Sequence, residues 1–193
     1  ALGSGATANG VNAQALGSGA SASGTDALAI GSSSSAAGSN ATALGTGSMA
    51  NGNNAQAMGS GSMASGTDSL AVGSSATATG SQVSAIGAGA VANGFNAVSY
   101  GTGATANGRN VVAIGTNARA EGFNTNGVAI GTDALATGTD VTAIGAGARA
   151  TGVGSTAIGV GAVTTRNNQI VLGTATTTVT VPNLAGQGTE LVS

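Results

Sequence analysis

The sequence contains no cysteine, histidine, tryptophan or lysine among its 193 residues. Without Cys and His, the chain has no disulfide, no thiol nucleophile, none of the commonest zinc ligands and no imidazole base. Four Arg, six carboxylates and a net charge of −2 leave no basic face for a phosphate backbone. We therefore expect no nucleic-acid partner, no cofactor, no metal site and no enzymatic activity.

Large side chains are also scarce. The chain has two Phe, one Tyr and one Pro, and most of its 41% hydrophobic content is Ala. No stretch approaches the ~20 consecutive apolar residues of a membrane-spanning helix, and no basic segment followed by an apolar one marks a signal peptide. We expect this segment not to contact a membrane, and its core cannot be built on bulky residues.

Glycine is abundant instead. The chain has 36 glycines, and they recur with a period of fourteen residues. A large residue followed by Gly recurs in each unit, as at Leu16-Gly17, and a second Gly follows seven residues later, as at Gly24. The period is broken once, by two extra residues between Gly122 and Gly131. Glycine at this spacing interrupts a helix but suits short strands joined by turns. Each unit is therefore predicted to be a coil of two strands and two turns.

Small and variable residues alternate within each unit, as expected for strands. Two columns of small residues recur along the chain, and a coil this narrow is expected to have no room inside for side chains larger than Ala or Ser. These predicted interior columns are Ala8, Ala22, Ala36, Ala50, Ala64, Ala78, Ala92, Ala106, Ala120, Ala136 and Ala150, and Ala15, Ala29, Ala43, Ala57, Ala71, Ala85, Ser99, Ala113, Ala129, Ala143 and Ala157.

The large residue before the first Gly comes directly after a small interior residue. Because successive strand residues point to opposite faces, the large residue is predicted to point outward. Stacked about 4.8 Å apart, these residues form an apolar ridge along the outside of the coil. The ridge comprises Leu16, Ile30, Leu44, Met58, Val72, Ile86, Tyr100, Ile114, Ile130, Ile144 and Ile158. A second outward column, from Gln14 to Ile170, becomes more apolar after Val98. A stripe of this size predicts self-association, because a monomer would expose it to water.

Units such as ALAIG, SLAVG, VVAIG and STAIG, with a second Gly between them, resemble the head repeats of YadA-like trimeric autotransporter adhesins. The resemblance covers residues 1–166. It implies an all-β fold, a left-handed parallel β-roll assembled side by side as a homotrimer, with the ridge toward the threefold axis. It also implies a place at the cell surface, on the outer membrane of a Gram-negative bacterium, and a host extracellular matrix protein or cell-surface receptor as partner.

The repeat decays after Arg166. Residues 167–193 resemble a terminal rung and a neck-like segment leading toward a stalk, although VTVPNLAG replaces the neck motif common in the family. The β-branched residues of 176–181 predict one more strand, which Pro182 would end. The predicted domains are therefore the β-roll head repeats at 1–166 and the neck-like segment at 167–193.

Polar residues recur beside one turn of each unit. Metal binding is one interpretation, but Asp26 and Asp68 would lie three rungs, about 14 Å, apart and cannot share an ion. Asn and Asp tolerate turn conformations and bond the backbone, so we predict a structural ladder. Its members are Asn12, Asp26, Asn40, Asn54, Asp68, Gln82, Asn96, Asn110 and Asp140.

Five further residues are candidate ligand contacts. Phe95, Arg109 and Phe123 share one turn column in successive units, so a guanidinium is expected between two aromatic rings. Arg119 and Asp133 lie in the units around the insertion, where a bulged loop on a regular rod favours recognition. Two interpretations stay open for these residues: a ligand-contact patch, or a structural ladder with weak surface ion pairs.

The leading functional hypothesis is an adhesin head that attaches to host matrix or cells, or to other bacteria, through many weak contacts on a trimeric surface. The alternative is a passive spacer in a surface fibre, with no ligand of its own. A third hypothesis, an ice-binding solenoid, needs a flat regular Thr array, and the sequence argues against one because Thr7, Thr77 and Thr105 share their column with Met49, Arg119 and Leu135. An absence of thermal hysteresis would rule it out.

Overall fold

The computed structural model describes residues 1–122 and 126–180, and there the chain winds into a stack of coils made of short parallel strands. Each coil contributes one strand to each of two sheets, and the strand order in both sheets follows the chain. One sheet has 11 strands and the other 12, and all pairings are parallel. The prediction of an all-β parallel β-roll is confirmed.

The strands are two or three residues long. The 11-stranded sheet takes the odd-numbered strands β1 to β21, and the 12-stranded sheet takes the even-numbered strands and β23. In chain order they are β1 (Thr7–Ala8), β2 (Gln14–Leu16), β3 (Ser21–Ala22), β4 (Leu28–Ile30), β5 (Ser35–Ala36), β6 (Thr42–Leu44), β7 (Met49–Ala50), β8 (Gln56–Met58), β9 (Met63–Ala64), β10 (Leu70–Val72), β11 (Thr77–Ala78), β12 (Ser84–Ile86), β13 (Val91–Asn93), β14 (Val98–Tyr100), β15 (Thr105–Asn107), β16 (Val112–Ile114), β17 (Arg119–Glu121), β18 (Val128–Ile130), β19 (Leu135–Thr137), β20 (Thr142–Ile144), β21 (Arg149–Ala150), β22 (Thr156–Ile158) and β23 (Ile170–Leu172).

Two turns connect the strands of each coil. Turn 1 follows a strand of the 12-stranded sheet, as at 17–19, and turn 2 follows a strand of the 11-stranded sheet, as at 10–12. The two strands of a coil therefore run in opposite directions, and the turns lie at opposite ends of its cross-section. Backbone N–H groups bond to the next rung, as from Gln14 to the carbonyl of Ala27 at 2.8 Å.

Alanine fills the space between the two sheets. The predicted interior columns are buried along the roll, and only residues of the first rung, such as Ala8, stay partly accessible. Interior serines bond to the turn backbone: Ser48 donates to the carbonyl of Gly45 and Ser62 to that of Gly59, both at 2.9 Å. Every buried polar side-chain atom within the described residues has a hydrogen-bond partner, so the narrow core carries no orphaned group.

The expectation that nothing larger than Ala or Ser fits inside is wrong at four positions. One is Thr164, which is buried fourteen residues after Ala150 in the same column, and the other three are valines that share another column. Val83, Val111 and Val141 are completely or almost completely buried at the start of strands of the 12-stranded sheet. Each has small residues one rung above and below, with Gly127 between Val111 and Val141. Because large and small residues alternate along the axis, each valine occupies volume that its neighbours leave empty.

Glycine recurs because the turn backbones of successive rungs touch. A Cβ built on Gly115 would lie 2.6 Å from both the carbonyl carbon and the oxygen of Gly131, and Gly115 has a φ of 128°. In the second Gly column, a Cβ on Gly66 would overlap the carbonyl of Gly80. The glycines thus permit close stacking as well as turning, and both properties need the absence of a side chain.

The two-residue insertion lies between two strands and does not change the register of either sheet. Across it, β17 pairs with β19 and β16 with β18 at a spacing of sixteen residues. Ala120 faces Ala136, and Ala113 faces Ala129. Side chains on both sides of the insertion therefore keep their inward or outward orientation.

The predicted strand at 176–181 is wrong over 176–180, where the structure has a turn followed by chain without regular secondary structure, outside the sheets. Ala175 takes the position that Gly161 fills one rung earlier with a φ of 68°. Ala rarely adopts that conformation, so the regular turn cannot form. Thr177 instead donates its N–H to the carbonyl of Thr174 at 2.9 Å. Position 181 and Pro182 lie outside the described residues.

Candidate functional site

The ridge lies on the outer surface of the 12-stranded sheet. Its members pair in register from Leu16 to Ile158, and none of the eleven is buried. Tyr100 is the most exposed of them, at 53%. The partly buried second column, which includes Leu28, Val98 and Val112, runs beside it on the same surface. The two columns form a continuous stripe that this chain alone does not cover.

A ladder of Asn and Asp side chains runs along turn 2, as predicted. Its members have φ between 53° and 57°, in the left-handed region that Asn and Asp tolerate best among residues with side chains. Each Asn amide donates to the next side chain: Asn12 to Asp26; Asn40 to Asn54 to Asp68; Asn96 to Asn110 to Asn126 to Asp140. The distances lie between 2.8 and 3.3 Å. Every run ends on Asp, which accepts but cannot donate.

Sequence reasoning missed Asn126, because the two-residue insertion shifts it out of the fourteen-residue count. Asn110 donates to its Oδ1 at 3.3 Å, and its own Nδ2 donates to Asp140 at 2.8 Å. Counting backward from Gly131 would have found it, since the insertion lies before this position. The ladder therefore continues past the insertion.

Replacing Asn54 with Asp should destabilise the roll by about 1 kcal/mol, because Asp cannot donate to Asp68 and would face its carboxylate one rung away. For a chain of this size the thermal midpoint should fall by roughly 2–4 °C. Asp68→Asn is the matched control, since it keeps the Oδ1 acceptor and should shift the midpoint by less than half as much. Equal midpoints for Asn54→Asp and the natural chain would show that the ladder contributes no stability.

Two of the five candidate contact residues meet at turn 2. The Arg109 guanidinium lies 5.5 Å from the centre of the Phe95 ring, within cation–π range. Both side chains are exposed. Phe123, the predicted third member of this column, lies outside the described residues.

The other two candidates lie elsewhere. Arg119 points outward from the 11-stranded sheet and forms a salt bridge with Glu121 at 2.8 Å, with both carboxylate oxygens engaged. Asp133 sits at turn 1, at the other end of the cross-section from Phe95 and Arg109, where it accepts a bond from Asn117 at 3.3 Å. The four candidates that the structure describes therefore do not form one patch.

A groove runs beside Phe95 and Arg109, with a cavity volume of about 570 Å³. Its floor is the second Gly column, and it spans four rungs between the edge of the 11-stranded sheet and turn 2. The lining residues are Asn93, Asn107, Glu121 and Thr137 on one wall, Gly94, Gly108, Gly122 and Gly138 on the floor, and Phe95 and Arg109 on the other wall. Sequence reasoning missed this groove, because its polar wall combines Asn, Glu and Thr in a column with no regular pattern.

Chemistry-bearing clusters are otherwise sparse. No group of three or more Asp and Glu residues that could hold a metal ion occurs within 1–122 and 126–180. The same residues contain no apolar helix of membrane-spanning length. The groove and the ridge are the two surface features that invite a functional interpretation.

Comparison with known proteins identifies a family of repeats and similar solved structures. The family described as the YadA head domain repeat matches seven stretches of the chain, 1–20, 22–48, 45–67, 64–90, 92–118, 124–148 and 150–176. The crystal structure of the collagen-binding domain of the Yersinia adhesin YadA is similar with a TM-score of 0.56 and 26% identity, over 94% of this chain and 91% of that one. Comparison with curated proteins gives no match. These two matches cover the roll from its first rung to its last.

Proposed function

We propose, from the premise that this chain belongs to the family of YadA-like heads of trimeric autotransporter adhesins, that three copies pack along the ridge and attach to a host extracellular matrix protein or cell surface. An adhesin role in general follows from the family. The similarity to the collagen-binding domain of YadA over 94% of the chain is the observation that carries the proposal. Trimeric assembly and the nature of the ligand are the finer steps that need tests.

The exposed ridge supports trimeric assembly. Fully burying an aliphatic side chain contributes about 1.5–3 kcal/mol, so sealing eleven large side chains contributes at most on the order of tens of kcal/mol per chain. Association entropy and side-chain ordering oppose this gain, so the net stabilisation is only part of it. In the proposed trimer the ridge faces the threefold axis, and the 11-stranded sheet and turn 2 face the surroundings.

Multivalency would make weak individual contacts sufficient for attachment of the head. Three chains present the same outer surface, so each weak contact recurs three times in one head and many times on one cell. Linked contacts of this kind raise overall avidity by factors of 10²–10⁴ without any new interaction. We place this head at the outer membrane surface of a Gram-negative bacterium, with 167–193 as the neck-like segment toward a stalk.

Attachment of the purified chain to surfaces coated with collagen, fibronectin or laminin tests the proposal. We expect saturable attachment to at least one of them, or clumping of cells that display the head. Phe95→Ser should weaken attachment if the patch at turn 2 takes part, whereas Val153→Ser changes an exposed apolar residue of the same turn column two rungs beyond the insertion and should not. Absence of both attachment and clumping would support the alternative, a passive spacer.

A further inference from the structure

We propose that the groove beside Phe95 and Arg109 binds a saccharide that carries a carboxylate, the group found in sialic acids and in uronic acids. The inference deepens the proposed function by naming a ligand class for one site of the adhesin head. A volume of about 570 Å³ lies within the range of ligand pockets, which is about 300–1,000 Å³.

The two walls of the groove match the two sides of a sugar ring. Asn93 and Asn107 lie one rung, about 4.8 Å, apart, and Thr137 lies two rungs beyond Asn107. Their amide and hydroxyl groups are of the kind that bonds sugar hydroxyls. Asn107 accepts a bond from Asn93 at 3.4 Å, and its own amide N–H groups have no acceptor within the described residues. On the opposite wall, the half-exposed Phe95 ring offers an apolar face for the C–H side of the sugar.

Charge selects for a carboxylate. Arg109 has no acidic partner within the described residues, and its contact with the Phe95 ring leaves its N–H fork available. A guanidinium binds a carboxylate through two parallel hydrogen bonds. The negative charge of Glu121 in the groove is balanced, because Arg119 donates three hydrogen bonds to it at 2.8–3.1 Å. The groove therefore presents one uncompensated positive charge.

The glycine floor gives the ligand access along the rod. Gly94, Gly108 and Gly138 carry no side chain that would divide the groove between rungs. Four rungs span about 14 Å, which leaves room for a short oligosaccharide lying along the axis. The groove lies diagonally across the coil from the ridge, because the ridge ends its strands at turn 1 and the groove adjoins turn 2. A trimer packed on the ridge leaves the groove open.

Saturation-transfer NMR with the whole chain and free oligosaccharides tests this inference. The probes are sialyllactose and a hyaluronan tetrasaccharide, which carry the carboxylate on a sialic acid and on uronic acids, with lactose as the neutral reference. We expect transfer to at least one acidic saccharide and weaker transfer to lactose. The saccharide that binds identifies which source of the carboxylate the groove prefers.

Two variants make the test specific. Arg109→Gln should weaken binding of the acidic saccharide at least tenfold, because it removes the charge that selects the ligand. Arg149→Gln removes the same charge from the 11-stranded sheet outside the groove and should change binding less than twofold. Saturation of the Phe95 ring protons should transfer to the sugar, and Phe95→Leu should abolish this signal.

Three results would overturn the inference: no transfer to either acidic saccharide, equal transfer to lactose, or equal losses in Arg109→Gln and Arg149→Gln. The proposed adhesin function fails separately, through loss of attachment to coated proteins and of clumping. If Arg109→Gln abolishes attachment to a coated protein while neither saccharide binds, the groove takes a protein and the saccharide inference is wrong.

Discussion

Replacing Gly115 with Ala should destabilise the roll by about 3 kcal/mol or more. The new Cβ would lie 2.6 Å from the carbonyl carbon and oxygen of Gly131, and a φ of 128° is strained for any residue with a side chain. Backbone strain of this kind costs about 1–3 kcal/mol, and overpacking against atoms that cannot move aside costs about 1–3 kcal/mol more. Thermal unfolding at fixed protein concentration should show a midpoint lower by roughly 6–12 °C.

Gly127→Ala is the matched control in the neighbouring rung. A Cβ there would meet Val111 at 3.5 Å and Val141 at 3.9 Å, which are ordinary contacts, and Gly127 does not have the positive φ of Gly115. Ala restricts the unfolded chain more than Gly, so this variant should be stabilised by about 0.4–1 kcal/mol. If both variants lost the same stability, close stacking of the turn backbones would not be the reason for the glycine repeat.

A charge placed on the ridge should abolish association. In the proposed trimer, Ile114→Asp buries three carboxylates without partners, and an uncompensated buried charge costs about 3–5 kcal/mol per chain. The roll itself should stay folded, since position 114 points away from the alanine interior. Light scattering should show the mass of one chain, and circular dichroism should keep its β signal.

Thr77→Asp is the control for the ridge variant, because it adds the same charge to the outer face of the 11-stranded sheet. That face is free in the proposed trimer, so the mass should stay unchanged. Ile86→Asp, two rungs before position 114, should repeat the result of Ile114→Asp. Two ridge variants that both keep the natural mass would place the interface on another surface.

Much of this fold is predictable from sequence because the repeat applies one rule many times. The alternation of inward and outward residues along a strand distinguishes the buried Ala29 from the outward Ile30. The fourteen-residue period fixes the register of both sheets. The turn ladder was also predictable, since Asn and Asp recur where the chain needs a positive φ. Periodic features average over a dozen copies, so an exception in one unit does not hide them.

The predictions about the fold failed where a single residue departs from the repeat. The β-branched run after Ala175 has a high strand propensity, but Ala175 stands at a turn position where the earlier rungs have Gly, Ser, Asn or Asp with a positive φ. Burial of Val111 depends on Gly127 one rung away, which becomes visible only once the insertion has been placed in register. The groove is lined by residues of neighbouring columns in four successive rungs. Their spacing in the sequence does not show which of these side chains line a common groove.

The mass of the purified chain in solution, by light scattering after size exclusion, is the most direct test of whether the ridge is an interface between three copies of one chain. We expect about three times 17.5 kDa, with no dissociation at micromolar concentration. A monomer of 17.5 kDa that stays soluble with the ridge exposed would contradict it.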